Sequence, residues 1–261
     1  MGDVENDVME NEFGVLATWT ADAVRVLGPE YAVPAACKGS ASPAMLEWLG
    51  RTTGLGQGQV LMDVGGGLGG PAEFARGEFG ARPVVLEPMV AACRAASELF
   101  DLSALAAEGG RLPVADNSAD VVWCLGVLCT TPDKSGLIAE IVRVMRPGAQ
   151  LGLLVFTADE PRPDGAPEGN EFPAEEELPV LLGKHGLEVG RSIAAEELPD
   201  HPDQDTWRSR ADEVEALVGQ MHAGDDRLAQ VLDQQRRMGR LIQDQVVRAV
   251  LVAANVPNSP N

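Results

Sequence analysis

Basic residues are scarce in this chain. Lys and Arg total 20 against 40 Asp and Glu, a formal net charge of −20. Phosphate backbones and anionic lipid draw cationic patches, so this balance disfavours a nucleic-acid groove or a membrane surface as partner. Histidine is scarcer still, with three, and there is a single tyrosine. The four cysteines (Cys37, Cys93, Cys124, Cys129) form no Cys-x-x-Cys pair and have no histidine at a zinc spacing. That pattern predicts no metal centre and reduced thiols packed as small hydrophobes. No charge-free run reaches the roughly 18 residues of a membrane helix. The acidic start also lacks the apolar segment of a signal peptide, so a cytoplasmic protein is expected.

What is present is a sizeable apolar fraction, 45% of 261 residues, enough for the core of one large α/β domain or two small ones. The acidic excess is concentrated. Seventeen acids against five basic residues fall between Asp159 and Glu215, which reads as a solvated, repulsive surface.

Residues 7–50 read as helical, with Ser42-Pro43 as N-cap and first-turn proline of the segment carrying Leu46, Trp48 and Leu49. From there strands alternate with helices. Val60–Val64, Pro83–Glu87, a weak Leu102–Ala107, Asp120–Leu125 and Leu151–Phe156 read as buried strands. Helices are expected from Pro71, from Pro88, and across Leu137–Met145, the last stopped by Arg146-Pro147-Gly148. A helix at Glu175–His185, a strand at Leu187–Ile193, two amphipathic helices, a strand at Val246–Ala254 and a frayed tail from Asn255 complete the chain. Such alternation predicts a parallel sheet with helices on both faces.

The chemistry concentrates at Asp63-Val-Gly65-Gly66-Gly67-Leu-Gly69-Gly70-Pro71, a strand, a glycine loop and a helix start. Glycines admit a ligand close to the backbone, and a helix N-terminus offers free amides. Gly65-x-Gly67-x-x-Gly70 also satisfies the dinucleotide fingerprint. Glu87 ends the second strand, 20 residues after Gly67, where a carboxylate accepts ribose hydroxyls of either a nicotinamide or a sulfonium nucleoside. Asp63 separates the two better, because nicotinamide-type strands usually keep that place apolar.

These residues resemble the class I S-adenosylmethionine-dependent methyltransferases, in particular small-molecule enzymes such as those of ubiquinone and menaquinone biosynthesis. The likeness runs from about Leu55 to Phe156. It rests on the glycine loop, on Glu87, on Leu112-Pro-Val-Ala-Asp-Asn-Ser-Ala-Asp120-Val-Val, and on the helix from Leu137 to Arg146-Pro147-Gly148. It implies a Rossmann-like, doubly wound α/β sheet of seven strands, in order 3-2-1-4-5-7-6, with the last strand antiparallel. The expected parts are an N-terminal helical cover (1–55), a cofactor-binding core (56–200), a helical cap (201–243), and the last strand with the tail (244–261).

The resemblance also implies roles. Gly65, Gly66, Gly67 and Gly69 would pass under the methionine of S-adenosylmethionine, and Asp63 would organise the loop and the cofactor amino group. Glu87 and Pro88 would hold the ribose, and Glu108 and Gly109 the adenine. The backbone of Cys124, Leu125 and Gly126 would face the transferred methyl. His201 is the candidate base, and Tyr31, Trp207 and His222 are candidate substrate contacts. The expected activity is methyl transfer to a small, partly apolar metabolite. A cyclase or isomerase that keeps the cofactor structurally, or a non-catalytic cofactor-binding partner protein, is the alternative. The two late helices are also a possible homodimer surface. The Pro-Pro-aromatic block of amino-methylating nucleic-acid enzymes, the Pro-Cys of cytosine-C5 enzymes and the Asp-Asn pair of metal-dependent catechol-type enzymes are absent.

Overall fold

The computed structural model describes residues 10–39 and 41–257. Seven strands, β1 (Val60–Val64), β2 (Arg82–Glu87), β3 (Ser103–Ala106), β4 (Ala119–Leu125), β5 (Met145–Thr157), β6 (Glu188–Ala194) and β7 (Arg248–Asn255), form one sheet. Their order is β3-β2-β1-β4-β5-β7-β6. The first five run parallel, and β7 lies antiparallel to both β5 and β6. The expected topology is therefore the one observed. β1 and β4 are apolar along most of their length because both their faces are covered.

Helices α1 (Leu16–Leu27), α2 (Ala32–Cys37), α3 (Pro43–Thr52), α4 (Gly70–Phe79) and α5 (Val90–Phe100) come from the first part of the chain. Helices α6 (Lys134–Val144), α7 (Glu177–Lys184), α8 (Gln204–Met221) and α9 (Asp226–Gln243) follow. One core layer joins the sheet to α6 and α7 through Leu137, Ile138, Ile141 and Leu182. A second joins it to α3 and α4 through Leu46, Leu49 and Ala75. Strand order reverses between β1 and β4, and the crevice at the carboxyl ends of those strands is where such sheets bind ligands.

Local differences from the sequence reading have local causes. The N-terminal helical stretch is not continuous. Gly28, at φ 128°, ends α1, and a short 3₁₀ turn at Pro29–Tyr31 redirects the chain; residues 7–9 lie outside the described part. Ser42 does cap α3, accepting the Met45 amide at 3.3 Å. Met145, expected on the helix face, instead opens β5 opposite Ala119, because the helix ends at Val144 ahead of Pro147. Asn255, expected in the tail, pairs with Gln150 and Glu188 inside the sheet. Residues 258–261 lie outside the described part.

Two of the motif segments hold each other. Arg143 on α6 donates to the carbonyls of Leu112 and Val114, both at 2.9 Å, and pairs with Asp116 and Glu140. Glu140 accepts the Leu112 amide at 2.8 Å. Asp120 accepts the Val60 amide at 2.8 Å and pairs with Arg146. These residues fix the β3–β4 connection and the start of β1. Their part in the site is to place what precedes and follows them.

Candidate functional site

The chain leaves β1 at Val64 and passes through the glycine loop into α4. Each glycine there has its own reason. A Cβ on Gly65 would stand 2.4 Å from Val127 Cγ2, and one on Gly66 would stand 2.7 Å from Asp63 Oδ2. On Gly69 it would meet Leu102 at 2.8 Å, and on Gly70 the backbone of Ala36 and Cys37 at 2.7 and 2.8 Å. Gly67 differs. Its φ is +53°, nothing lies within 4 Å of its Cβ position, and it lines the cavity above the loop. Four glycines thus let the fold close on itself, while Gly67 leaves bare backbone for a ligand.

Two carboxylates lie beneath this loop. Glu87, 6% exposed, accepts the Gly67 amide with Oε2 and the Met89 amide with Oε1, both at 3.0 Å. Each oxygen keeps a further lone pair for a hydroxyl donor. Burial pushes the Glu87 carboxyl up, against the pull of those two amides. Asp63 is 1% exposed, and among the described residues neither of its oxygens has a hydrogen-bond partner. Burial, with the Glu87 charge beside it, pushes its pKa up to about 7, offset only in part by the nearby Ala72 amide. An unpartnered buried carboxylate is costly, and a cationic group arriving in the cavity would relieve it.

The cavity has a volume of about 1180 Å³. That exceeds the roughly 300–1,000 Å³ of a single small-ligand pocket. Asp63, Gly65, Gly66, Gly67, Glu87, Pro88, Glu108, Gly109, Leu125 and Gly126 all line it, so most of the expected cofactor residues are brought together. Gly69 does not line it and serves as the N-cap of α4. Cys124 is fully buried among the core side chains next to Leu125. Glu108 is exposed at the rim, its carbonyl accepting the Arg111 amide.

Residues 62–153 match the family model described as a methyltransferase domain. Over those residues the chain is similar to methyltransferase domains. It is similar to the sterol 24-C-methyltransferase of Saccharomyces cerevisiae, 23% identical over 61% of this chain and 46% of that protein. It is also similar to the 2-methyl-6-phytyl-1,4-hydroquinone methyltransferase of Synechocystis, 32% identical over 46% of this chain and 38% of that protein. The chain thus spans less than half the length of these relatives. Among solved structures, the cyclase SpnF shares the fold with a TM-score of 0.66 at 20% identity, covering 82% of this chain and 80% of that one.

The glycine loop and its two acids present groups that fit S-adenosylmethionine. The orphaned Asp63 suits an ammonium group, Gly67 admits the cofactor tail, and the free lone pairs of Glu87 suit ribose hydroxyls. Residues missed by the sequence reading also reach the cavity. Leu68 and Met89 flank the motif residues, and Lys38 and Thr20 enter from the N-terminal helices. Leu68, inside the glycine loop, and Met89, next to Pro88, carried a sequence signal; Lys38 and Thr20 carried none.

The expected catalytic and substrate residues fall elsewhere. His201 lies away from the cavity lining, its Nε2 3.7 Å from Glu47 Oε2 on α3 and its Nδ1 accepting the Asp203 amide. Tyr31 donates to Glu213 at 3.0 Å and carries Arg210 over its ring. His222 stacks on Trp19 with ring centroids 4.1 Å apart. Trp207 packs edge-on against Phe74 of α4. None of the four lines the cavity. Tyr31 and His222 join α8 and its end to the N-terminal helices, as do Lys38 with Asp212 and Glu215. Trp207 anchors the cap on α4.

Proposed function

We propose that this chain transfers the methyl group of S-adenosylmethionine to a small, largely apolar molecule held between the sheet and the cap. One observation carries the cofactor half: Asp63 is buried without a partner beside Glu87, under a loop whose single open glycine faces the cavity. When bound, the cofactor supplies a methyl group on a positively charged sulfur, already an electrophile.

The protein's own task is then to bind, align and keep dry. Asp63 holds the cofactor amino group and Glu87 the ribose. The Gly67 backbone and the β4 end at Leu125-Gly126 set the position of the methionine arm. The cover and cap exclude water and hold the acceptor in line with the S–CH₃ bond. Among the described residues no histidine or tyrosine lines the cavity. Of the acids near the acceptor side, Asp133 accepts the Gly136 amide, Glu171 pairs with Arg162 and Lys134, and Glu215 pairs with Lys38. This supports an acceptor that needs no protein base, such as an electron-rich carbon or an amine. The acidic surface supports a small-molecule partner over nucleic acid. No helix among the described residues is long and apolar enough to cross a membrane, and a cytoplasmic location is part of the proposal. Light scattering reads whether the cap helices make a homodimer.

Isothermal titration with S-adenosylmethionine and S-adenosylhomocysteine tests the cofactor half. Absence of heat and of any thermal shift at millimolar ligand sinks it. A second reading, a cyclase that keeps the cofactor as a structural part, draws on the absence of histidine and tyrosine from the cavity lining among the described residues and on the shared fold with SpnF. Labelled cofactor separates the two, since product without transferred label favours the cyclase.

A further inference from the structure

The cap helix α9 presents one uninterrupted stripe to the cavity. Leu228, Val231, Leu232, Met238 and Ile242 all line it, together with Gln235 and Gly239. Their spacing is that of a single helix face. From Leu228 to Ile242 the stripe runs about 21 Å at 1.5 Å per residue. Facing side chains add to its apolar character, with Leu16 and Ala17 from α1 and Val214 and Val218 from α8. At Gly219 and Gly239 no atom lies within 4 Å of the Cβ position, so both cap helices leave room at the wall.

Gln235 sits at the middle of this stripe and is its only hydrogen-bonding side chain. Among the described residues its carboxamide has no protein partner, whereas its neighbour Gln234 is buried and accepts the Glu168 amide at 3.0 Å. The other neutral polar side chains of the cavity are accounted for, with one exception. Thr130 and Thr131 both donate to the Val127 carbonyl at 3.0 Å; the Thr20 hydroxyl has no partner among the described residues. The charge of the walls is also one-sided. Among the described residues six carboxylates (Asp63, Glu87, Glu108, Asp133, Glu171 and Glu215) face two cations, Lys38 and Arg162, both already paired. That field repels an anionic acceptor. An amide alone in an apolar wall discriminates strongly, because a ligand without a matching group leaves it desolvated and unpaired.

We infer that Gln235 is a specificity-determining residue, and that the acceptor is an elongated, neutral, apolar molecule carrying a hydroxyl or carbonyl group that Gln235 reads. The inference rests on the methyltransferase reading for the cofactor end of the cavity and adds the acceptor end.

The test uses the full chain. S-adenosylhomocysteine is titrated first, so a failure of the cofactor reading shows in that step alone. Three fluorescent probes are then titrated with and without saturating S-adenosylhomocysteine: prodan, a neutral naphthalene ketone; diphenylhexatriene, a rod-shaped hydrocarbon; and anilinonaphthalene sulfonate, an anion. The wild type should bind the two neutral probes and bind the anion more weakly. Gln235→Leu should weaken prodan about five- to tenfold, the loss expected for one neutral hydrogen bond, and leave diphenylhexatriene equal or tighter. An unchanged melting temperature shows the variant is folded, since the side chain faces the cavity. The inference is overturned if both neutral probes change together, if neither changes, if neither binds the wild type, or if the anion binds best. A prodan loss in Thr20→Val but not in Gln235→Leu would move the reading group to α1 and overturn it equally.

Discussion

The Gly67 amide donates to Oε2 of Glu87 at 3.0 Å, tying the open glycine of the loop to the acid at the end of β2. The glycine that leaves space at the cavity is thereby held by the acid proposed to bind the ribose. Glu87→Gln keeps the shape but puts an NH₂ group against the Gly67 or the Met89 amide. Cofactor binding should weaken by about 1.5–3 kcal/mol, the range for a hydrogen bond to a charged group. Calorimetric affinity equal to wild type would remove Glu87 from the site.

Asp63 gives a pH dependence with a definite sign. Its pKa is raised from the ordinary carboxylate value to about 7 by burial and by Glu87. The folded state therefore binds the extra proton between about pH 4 and pH 7, and the stability contributed by this group falls as pH rises through that window. Above about pH 7 the free protein carries an uncompensated buried charge. Asp63→Asn should raise the melting temperature of the ligand-free protein at pH 8 and have little advantage near pH 4, while weakening cofactor binding. Melting curves at the two pH values check it.

The same ionisation couples to the cofactor, because the ammonium group favours the charged form of Asp63. Affinity for S-adenosylmethionine should climb between pH 6 and pH 8 and release a proton on the acid side of that range. Binding enthalpies measured in two buffers of different ionisation heat read the proton directly. A pH-independent affinity would detach Asp63 from the amino group.

Gly65 and Gly67 predict opposite phenotypes. Alanine at Gly65 collides with Val127, so it should destabilise by about 1–3 kcal/mol, as overpacking does. Alanine at Gly67 costs only the strain of a positive φ, about 1 kcal/mol, yet places a methyl in the open space where the cofactor is proposed to lie. Its cofactor affinity should fall at least about tenfold, or roughly 1.4 kcal/mol. Thermal melts paired with titration separate the two.

His201→Ala should leave cofactor affinity unchanged, since the ring lies against Glu47 and Asp203 and not in the cavity. A loss of binding comparable to that of the Glu87 variant would return His201 to the site.

The sequence by itself determined the sheet and the cofactor end of the site. Strand, glycine loop and helix start are consecutive in the chain, and Glu87 ends the very next strand. Their geometry therefore follows from local spacing once the strands pair in parallel. The motif around Leu112–Asp120 and the helix that follows it were legible too, and the structure shows what they do: Arg143, Glu140 and Asp120 tie the β3–β4 connection, α6 and the start of β1 together.

The acceptor end was decided only by the tertiary structure. Tyr31, Trp207 and His222 are plausible contacts by residue type, yet each becomes a fastener once α8, with His222 at its end, folds back against α1, Tyr31 and α4, all far earlier in the chain. Periodicity marked α9 as amphipathic without telling which of its apolar residues would face a cavity. Leu241 turns into the core with Phe172, whereas Leu228 and Ile242 line the chamber around Gln235. Spacing along a helix fixes which side chains share a face, but what that face meets depends on packing against distant segments.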